Sequence, residues 1–484
     1  MSSGTTAVNW VLWLSLASVP LLFAAWRYAW RGEFRVALWL LLIAGVLIRV
    51  GPAMDPMLHP WDERYHALVA KNMITDPFTP MLYREHVLPF DALSWTEGHV
   101  WLHKLPVPLW CMALSMKLFG VNEFALRLPS LILSTLGICV CCGIAKHFWG
   151  RRVGFVSAFL YSVQGAIIEH GSGRWATDHI DTFFTFFIGA CVLCYLTWLN
   201  KRRSWLLLLS GILLGCALLS KWLPALVVIP VQVLMAAPKS KKAWLTVIGA
   251  NTVITLVSLS IAAPWIIYTQ ARFPDVAGHE ALMRMKHVTE VLDQQGGGIL
   301  YYIDRLRMTY GEIVYLPLIW FMAKALRRRK NLPRWSMLVW MVIYLGFFTV
   351  VATKMPGYIL PVTVPVLAIT ALFWVVLERS VRRWSQNRWI GYVVLVGLLA
   401  LPVRYCTERL KPTQDLSSAA ALKAQYRSLS DPGGRTTVVL GCSDPYQAMF
   451  YSDCIAYSRQ ANASVVDSLE HRGYRVIQFQ AKEK

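Results

Sequence analysis

Six clusters of ionisable side chains stand at the ends of apolar stretches in this 484-residue chain, and their residue types suit chemistry on a phosphate. The first is Pro60-Trp61-Asp62-Glu63-Arg64-Tyr65. Its adjacent carboxylates would supply a general base, a metal ligand, or simply negative charge that complements a helix dipole. In the second, Leu102-His103-Lys104-Leu105-Pro106-Val107-Pro108, two prolines open a helix-like run. Lys104 then either serves an anion site at a helix N-terminus or snorkels to an interface. Third comes Arg174 followed by Thr177-Asp178-His179-Ile180-Asp181, whose two aspartates share one side of a helix's first turn or cap it.

Fourth, Lys221 stands between two apolar runs with almost no loop to hold it. The fifth cluster, His279-Glu280 with Arg284 and His287, offers donors to a divalent cation without a tight H-E-x-x-H spacing. With His103, its histidines make His103, His279 and His287 the candidate metal ligands. The sixth is Lys354-Met355-Pro356-Gly357-Tyr358. Together Lys104, Lys221, Lys354 and Arg284 would hold a phosphate beside Tyr358, because ammonium and guanidinium groups pair well with phosphate. Asp62, Glu63 and Asp178 would face it across a cavity. Acid opposite a phosphate clamp points to group transfer from a lipid-linked phosphate donor.

The elements that must position these clusters are membrane spans. The chain is 56 % hydrophobic and 15 % charged, against roughly 25 % charged in a soluble domain, which excludes an ordinary soluble protein. About twelve stretches approach the 20 apolar residues a spanning helix needs. They lie near 7–27, 36–53, 127–147, 153–171, 181–199, 204–220, 222–238, 244–267, 311–327, 335–352, 357–378 and 388–404. The first lacks the charged flank and cleavage site of a signal peptide and is expected to stay in the mature protein.

The net charge of +21 would suggest nucleic acid in a soluble chain. Here it sorts by loop. With the N-terminus outside, the connections rich in Lys and Arg, such as Arg27/Arg31/Arg35, Lys201/Arg202/Arg203 and Arg379/Arg382/Arg383, all fall on one side, the cytoplasmic one. No nucleic-acid partner is expected. Between 55 and 104, on the other side, acid outnumbers base.

The expected organisation is therefore a transmembrane domain over 1–404, with outer segments 54–126 and 268–310 forming the active site. Residues 405–484 alternate β-like runs (Thr436–Leu440, Tyr474–Phe479) with helix-like ones (Tyr446–Tyr451, Ser464–His471) and are expected to form a small outer α/β domain. Cys442 and Cys454 share that domain, where an oxidising compartment would permit a disulfide. Cys191 and Cys194 have apolar neighbours and read as packing.

In this order, the clusters resemble the bacterial branch of the protein O-mannosyltransferase-like superfamily, which includes the transferase of aminoarabinose to lipid A. Asp62-Glu63-Arg64-Tyr65 resembles its first-loop signature, and His103-Lys104-Leu105-Pro106 its E-K-P-P or H-P-P stretch. Phe119-Gly120, Glu123-Phe124 and Arg127-Leu128-Pro129 resemble the motif that follows. Arg174 with Thr177-Asp178, Leu219-Ser220-Lys221, and Lys354-Met355-Pro356 with Tyr358 and Pro361 complete the set. Trp222 stands where the family's L-x-K-G has glycine, and His103 where lipid A relatives carry Glu.

The resemblance implies an all-α polytopic glycosyltransferase of GT-C architecture in the bacterial inner membrane, with about twelve spans and the small α/β domain. It would take a sugar from a polyprenyl (undecaprenyl) phosphate donor on the outer face and invert the anomeric centre. Asp62 would then be the principal carboxylate, with Asp178 supporting the cavity. Lys104, Arg284 and Lys354 would hold donor phosphate, and in metal-binding relatives a Glu and a His ligate a cation. The expected acceptor is lipid A, lipopolysaccharide or another envelope glycan. The rival readings are a protein O-glycosyltransferase and, from another class, a multi-pass transporter, which would place its polar groups near the bilayer midplane.

Overall fold

The computed structural model describes residues 3–174, 178–327, 332–384, 386–411, 414 and 416–479. Helices fill the stretches marked by hydropathy. Among the described residues six are long and apolar enough to cross a membrane: Phe34–Ala53, Glu123–Trp149, His179–Lys201, Lys241–Arg272, Pro356–Val381 and Arg388–Arg409. Shorter apolar helices include Pro106–Phe119, Trp205–Lys221 and Leu223–Ala236. His179–Lys201 and Pro356–Val381 are the most enclosed and form the centre, whereas Lys241–Arg272 and Arg388–Arg409 keep most of their apolar surface outward, as helices facing lipid would.

Close helix packing relies on small residues, which let backbones approach. Gly211 and Gly215, one turn apart on Trp205–Lys221, are an instance: a Cβ on either would meet Val257 at 2.6 Å or Ile261 at 2.9 Å on Lys241–Arg272. This contact fixes the helix that ends in Lys221. Two expected spans are interrupted. The stretch 153–171 breaks into Arg151–Ser162 and Gly165–Gly171 at Gln164, whose side chain accepts from Ala166 N–H (2.6 Å) and donates to the Thr309 carbonyl (2.6 Å). The stretch from 222 starts as a 3-10 turn, Leu223–Val227, and continues as the α-helix Val228–Ala236.

The segments 54–126 and 268–310 both contain helices: Asp62–Met73 and Pro106–Phe119 in the first, Pro274–Thr289 and Tyr301–Tyr310 in the second. Beyond Arg409, where the last apolar helix ends, strands β1 (Thr437–Leu440), β2 (Cys454–Ala456) and β3 (Arg475–Gln478) form a parallel sheet in the order β2-β1-β3. Parallel neighbours need crossovers, supplied by helices Pro445–Tyr451 and Ala463–His471.

The expected Cys442–Cys454 bridge does not form; both thiols are free. Cys454 opens β2 opposite Thr437. Cys442 lies past the far end of β1, its N–H bonded to the Tyr457 carbonyl. Three residues of strand, about 10 Å, therefore separate the two along the sheet, beyond the span of a disulfide.

The sheet unit is laced to the segment 54–126. Arg64 bridges to Asp444 at 2.8 Å, and Lys71 donates to the carbonyls of Met449 (2.8 Å) and Phe450 (3.1 Å) at the C-terminal end of helix Pro445–Tyr451, where a cation is favoured. Glu123 accepts from Lys423 (2.5 Å) and from the Tyr451 hydroxyl (2.7 Å).

Candidate active site

Helix Asp62–Met73 separates its two leading carboxylates, because adjacent residues on a helix point in different directions. Glu63 turns inward and is fully buried. It accepts from Arg127 at 2.7 and 3.0 Å and from the His59 N–H at 2.5 Å, with His59 Nδ1 at 2.7 Å and His179 Nε2 at 3.3 Å. Burial alone would raise its pKa. The charges of Arg127 and His59 and the histidine hydrogen bonds outweigh that and hold Glu63 well below the usual range. Arg127 also donates to the carbonyls of Asp55 (2.6 Å) and Met57 (2.8 Å), and Asp55 in turn pairs with Arg174 at 2.8 Å. The loop 53–59 is thereby pinned under the helix.

Asp62 turns toward Lys104, which donates to it at 2.9 Å. Each side chain keeps about a fifth of its surface exposed. Burial favours the neutral acid, but Lys104, His66 and His103 outweigh it and hold Asp62 below its ordinary value, so it is anionic at neutral pH.

A second pair stands close by. Lys221 contacts the fully buried Asp181 and lies 4.3 Å from the centre of the Tyr358 ring. Asp62 and Lys104 are near enough to act on Lys221 electrostatically. The Lys221 helix ends on Trp222, held at φ 63° and ψ −142°. Trp61, just before Asp62, has nearly the same conformation at φ 70° and ψ −132°. This region is close to one that glycine alone occupies readily, and each tryptophan costs on the order of 1–3 kcal/mol there.

The third wall is helix Pro274–Thr289. Positions 277, 280, 281, 284, 287 and 288 follow a helical period. Of these, Ala277, Ala281, Arg284, His287 and Val288 line a cavity of about 500 Å³ together with Lys221, Trp222 and Tyr358, the remainder of the lining being mainly apolar. Glu280 is buried beside it, 3.5 Å from His103. Burial would raise Glu280, but His103 and Arg284 bring it below its ordinary value. Burial lowers Arg284 and His287, the latter also through the charges of His103 and Lys104. Arg284 donates to the Leu102 carbonyl at 3.4 Å, which ties this helix to the loop carrying Lys104.

Of the residues singled out from sequence, Asp62, Lys104, Lys221, Arg284, His287, Tyr358 and His103 gather here. Lys354 is buried and donates to the Val351 carbonyl at 2.7 Å rather than lining the cavity. Asp178 opens helix Asp178–Lys201, but its side chain lies outside the described residues, as do Trp175–Thr177. The metal ligands do not converge: His103 faces Glu280, while His279, next to Glu280 on the same helix, points elsewhere. Among the described residues no three His, Cys, Asp or Glu side chains come close enough to hold an ion.

Sequence reasoning gave no role to Arg127 or His59 and did not pair Asp181 with Lys221. An arginine heading an apolar run was the available signal, since charge at that depth has a partner or a task.

Residues 103–268 match the family described as dolichyl-phosphate-mannose-protein mannosyltransferase. The similar solved structures include ArnT from Cupriavidus metallidurans bound to undecaprenyl phosphate, 17 % identical, with TM-score 0.63 over 93 % of this chain and 90 % of that one. They also include the archaeal oligosaccharyltransferase AglB from Archaeoglobus fulgidus, 12 % identical, with TM-score 0.57 over 91 % and 69 %. The chain has the GT-C fold.

With its apolar helices, it is a multi-pass membrane protein of that fold. Similar sequences include two undecaprenyl phosphate-alpha-4-amino-4-deoxy-L-arabinose arabinosyl transferases. That of Photorhabdus laumondii is 26 % identical over 62 % of this chain and 54 % of its own length. That of Pseudomonas aeruginosa is 26 % identical over 67 % and 57 %. The chain spans little more than half the length of these relatives. The family resemblance carried by the six motifs thus has support in both sequence and fold.

Proposed function

We propose that the chain is an inner-membrane glycosyltransferase that moves a sugar from an undecaprenyl-phosphate-linked donor to lipid A, lipopolysaccharide or another envelope glycan, with inversion. One observation carries this reading. Two cations, Lys221 and Arg284, line an apolar cavity of about 500 Å³, and the anionic Asp62 with its partner Lys104 stands close enough to act on Lys221 electrostatically. An apolar cavity suits a lipid chain and the cations suit its phosphate. The arabinosyl transferases and the fold neighbours act on, or hold, lipid phosphates according to their descriptions.

In the proposed reaction an acceptor oxygen attacks the anomeric carbon from the face opposite the phosphate. The new C–O bond forms as the bond to phosphate breaks, and the electron pair leaves on the polyprenyl phosphate. Lys104, Lys221 and Arg284 stabilise that charge as it develops. A hydroxyl acceptor passes its proton to Asp62, the general base. A phosphate acceptor is already anionic, and Asp62 then positions it. Glu63 serves as a positioning residue and Tyr358 supports Lys221. Lys354 acts by holding the outer end of its span, and Asp178 is assigned to the cavity by resemblance alone.

We assign about twelve spans, with the site and residues 405–484 on the periplasmic side, because basic loops cluster on the other. A transporter would carry its polar groups near the midplane, whereas Asp62, Lys104, Lys221 and Arg284 lie at helix ends and in outer segments. Mass spectrometry of lipid A, core and O-chain glycans and envelope proteins should find one sugar missing from cells without the intact chain and from cells carrying Asp62→Ala. Loss from a protein instead would make the chain a protein O-glycosyltransferase. An unchanged profile would remove the proposal.

A further inference from the structure

Trp222 combines a costly backbone with a place in the cavity wall. Its φ of 63° and ψ of −142° are conformations that glycine holds without strain, and a residue directly after a helix is where glycine commonly stands. Strained positions persist where the side chain has a task. Trp222, partly buried, is one of the residues lining the cavity, directly beside Lys221, the cation that lies against Tyr358.

Trp61 is the internal contrast: the backbone is nearly the same, but its side chain is 62 % exposed and is not among the cavity lining. An interfacial anchor accounts for Trp61. It does not account for a tryptophan in a cavity wall. A flat, apolar, weakly polar-edged ring next to a phosphate-binding cation fits the C–H face of a sugar attached to that phosphate, and it offers large contact area with few rotors to freeze.

We propose that Trp222 is the specificity-determining residue that stacks on the donor's sugar ring while Lys221 takes its phosphate. This inference rests on the polyprenyl-phosphate reading above. The two are separable, since one concerns the sugar and the other the lipid phosphate.

The test measures binding of undecaprenyl phosphate, and of the same lipid bearing 4-amino-4-deoxy-L-arabinose, to the full-length protein in nanodiscs. Wild type is expected to bind the sugar-bearing lipid about 10-fold more tightly, equivalent to about 1.4 kcal/mol. Trp222→Gly should abolish that preference and leave affinity for bare undecaprenyl phosphate within about 2-fold. Its Tm should stay close to wild type, because strain relief offsets lost packing. Trp222→Phe should keep part of the preference, which a merely structural role would not explain. Equal binding of both lipids by wild type, or an unchanged preference in Trp222→Gly, overturns the stacking role. So does an equal weakening of both lipids. Failure of wild type to bind either lipid overturns the donor reading itself.

Discussion

Replacing Glu63 by Gln should damage the fold before it damages the chemistry. The side chain is wholly buried, and its oxygens take two bonds from Arg127 and one from the His59 N–H, with two histidine rings alongside. Breaking a buried ion pair from one side costs about 3–5 kcal/mol, because the surviving charge stays in a low dielectric. Gln retains shape and one acceptor oxygen, and Arg127 keeps the Asp55 and Met57 carbonyls, so the lower end, about 3 kcal/mol, is expected. One kcal/mol moves Tm by roughly 2–4 °C in a domain of 150–250 residues and by less in a longer chain. Glu63→Gln should therefore melt several degrees early in detergent or nanodiscs.

Asp62→Asn alters a part-exposed pair worth about 0–1 kcal/mol. It should leave Tm nearly unchanged while lowering kcat by about 10²–10⁴-fold, the range for a lost general base. A Glu63→Gln protein with wild-type Tm and no turnover would show that Glu63 is the reacting carboxylate and that the roles of Asp62 and Glu63 are reversed. The pH dependence adds a check. Glu63 is depressed in the folded state, so its contribution to stability is fully present above the unfolded value near 4.3 and is lost as pH falls through the folded value. Acid sensitivity below about pH 4 should accordingly be blunted in Glu63→Gln.

The other expectations concern the same network. Lys104→Met removes the principal force holding Asp62 down, so the acidic limb of the kcat profile should move up by about 1–3 pH units; an unmoved limb would mean that Asp62 does not titrate in turnover. Arg284→Ala should raise KM for the lipid-linked donor by about 10-fold with kcat reduced less, measured by transfer from purified donor, since Arg284 lines the cavity together with Lys221. Arg64→Ala and Asp444→Ala, combined in a double-mutant cycle on Tm, should show coupling of about 0.5–3 kcal/mol across their 2.8 Å bridge. Strict additivity would mean that the sheet unit does not brace helix Asp62–Met73.

Apolar runs were legible because burial in lipid is written locally, residue by residue, and helices occupy those stretches in the structure. Ionisable clusters at their ends were legible for a related reason: charge is expensive beside lipid and is kept only where it acts. Pairings were not legible, since they are decided by tertiary packing. Asp62 meets Lys104 across 42 positions and Glu63 meets Arg127 across 64. The register of Glu63 and Asp62 on one helix was within reach, because neighbours on a helix diverge, but which of the two faces inward depends on Arg127. Lys354 looked like its fellow lysines in sequence and differs only because its ammonium finds the Val351 carbonyl. β2, three residues long, is too short to carry an alternating pattern.

The energetics also explain why the two carboxylates are adjacent. A pair that a substrate must open has to be cheap to break, and Asp62–Lys104, about one-fifth exposed on both sides, meets that condition. In the proposed reaction an arriving phosphate would draw Lys104 away and leave Asp62 with less positive charge beside it, hence more basic when an acceptor proton must be taken. A pair that aims the carboxylate has to resist opening, and Glu63–Arg127, with no exposure on either side, does. Placing both on consecutive residues of one helix lets the fixed pair set the orientation of the exchangeable one, so that Lys104 can leave without Asp62 moving. Moving the buried carboxylate one turn along the helix would preserve every charge and still be expected to loosen Asp62, because Arg127 reaches Glu63 while also anchored to the carbonyls of Asp55 and Met57.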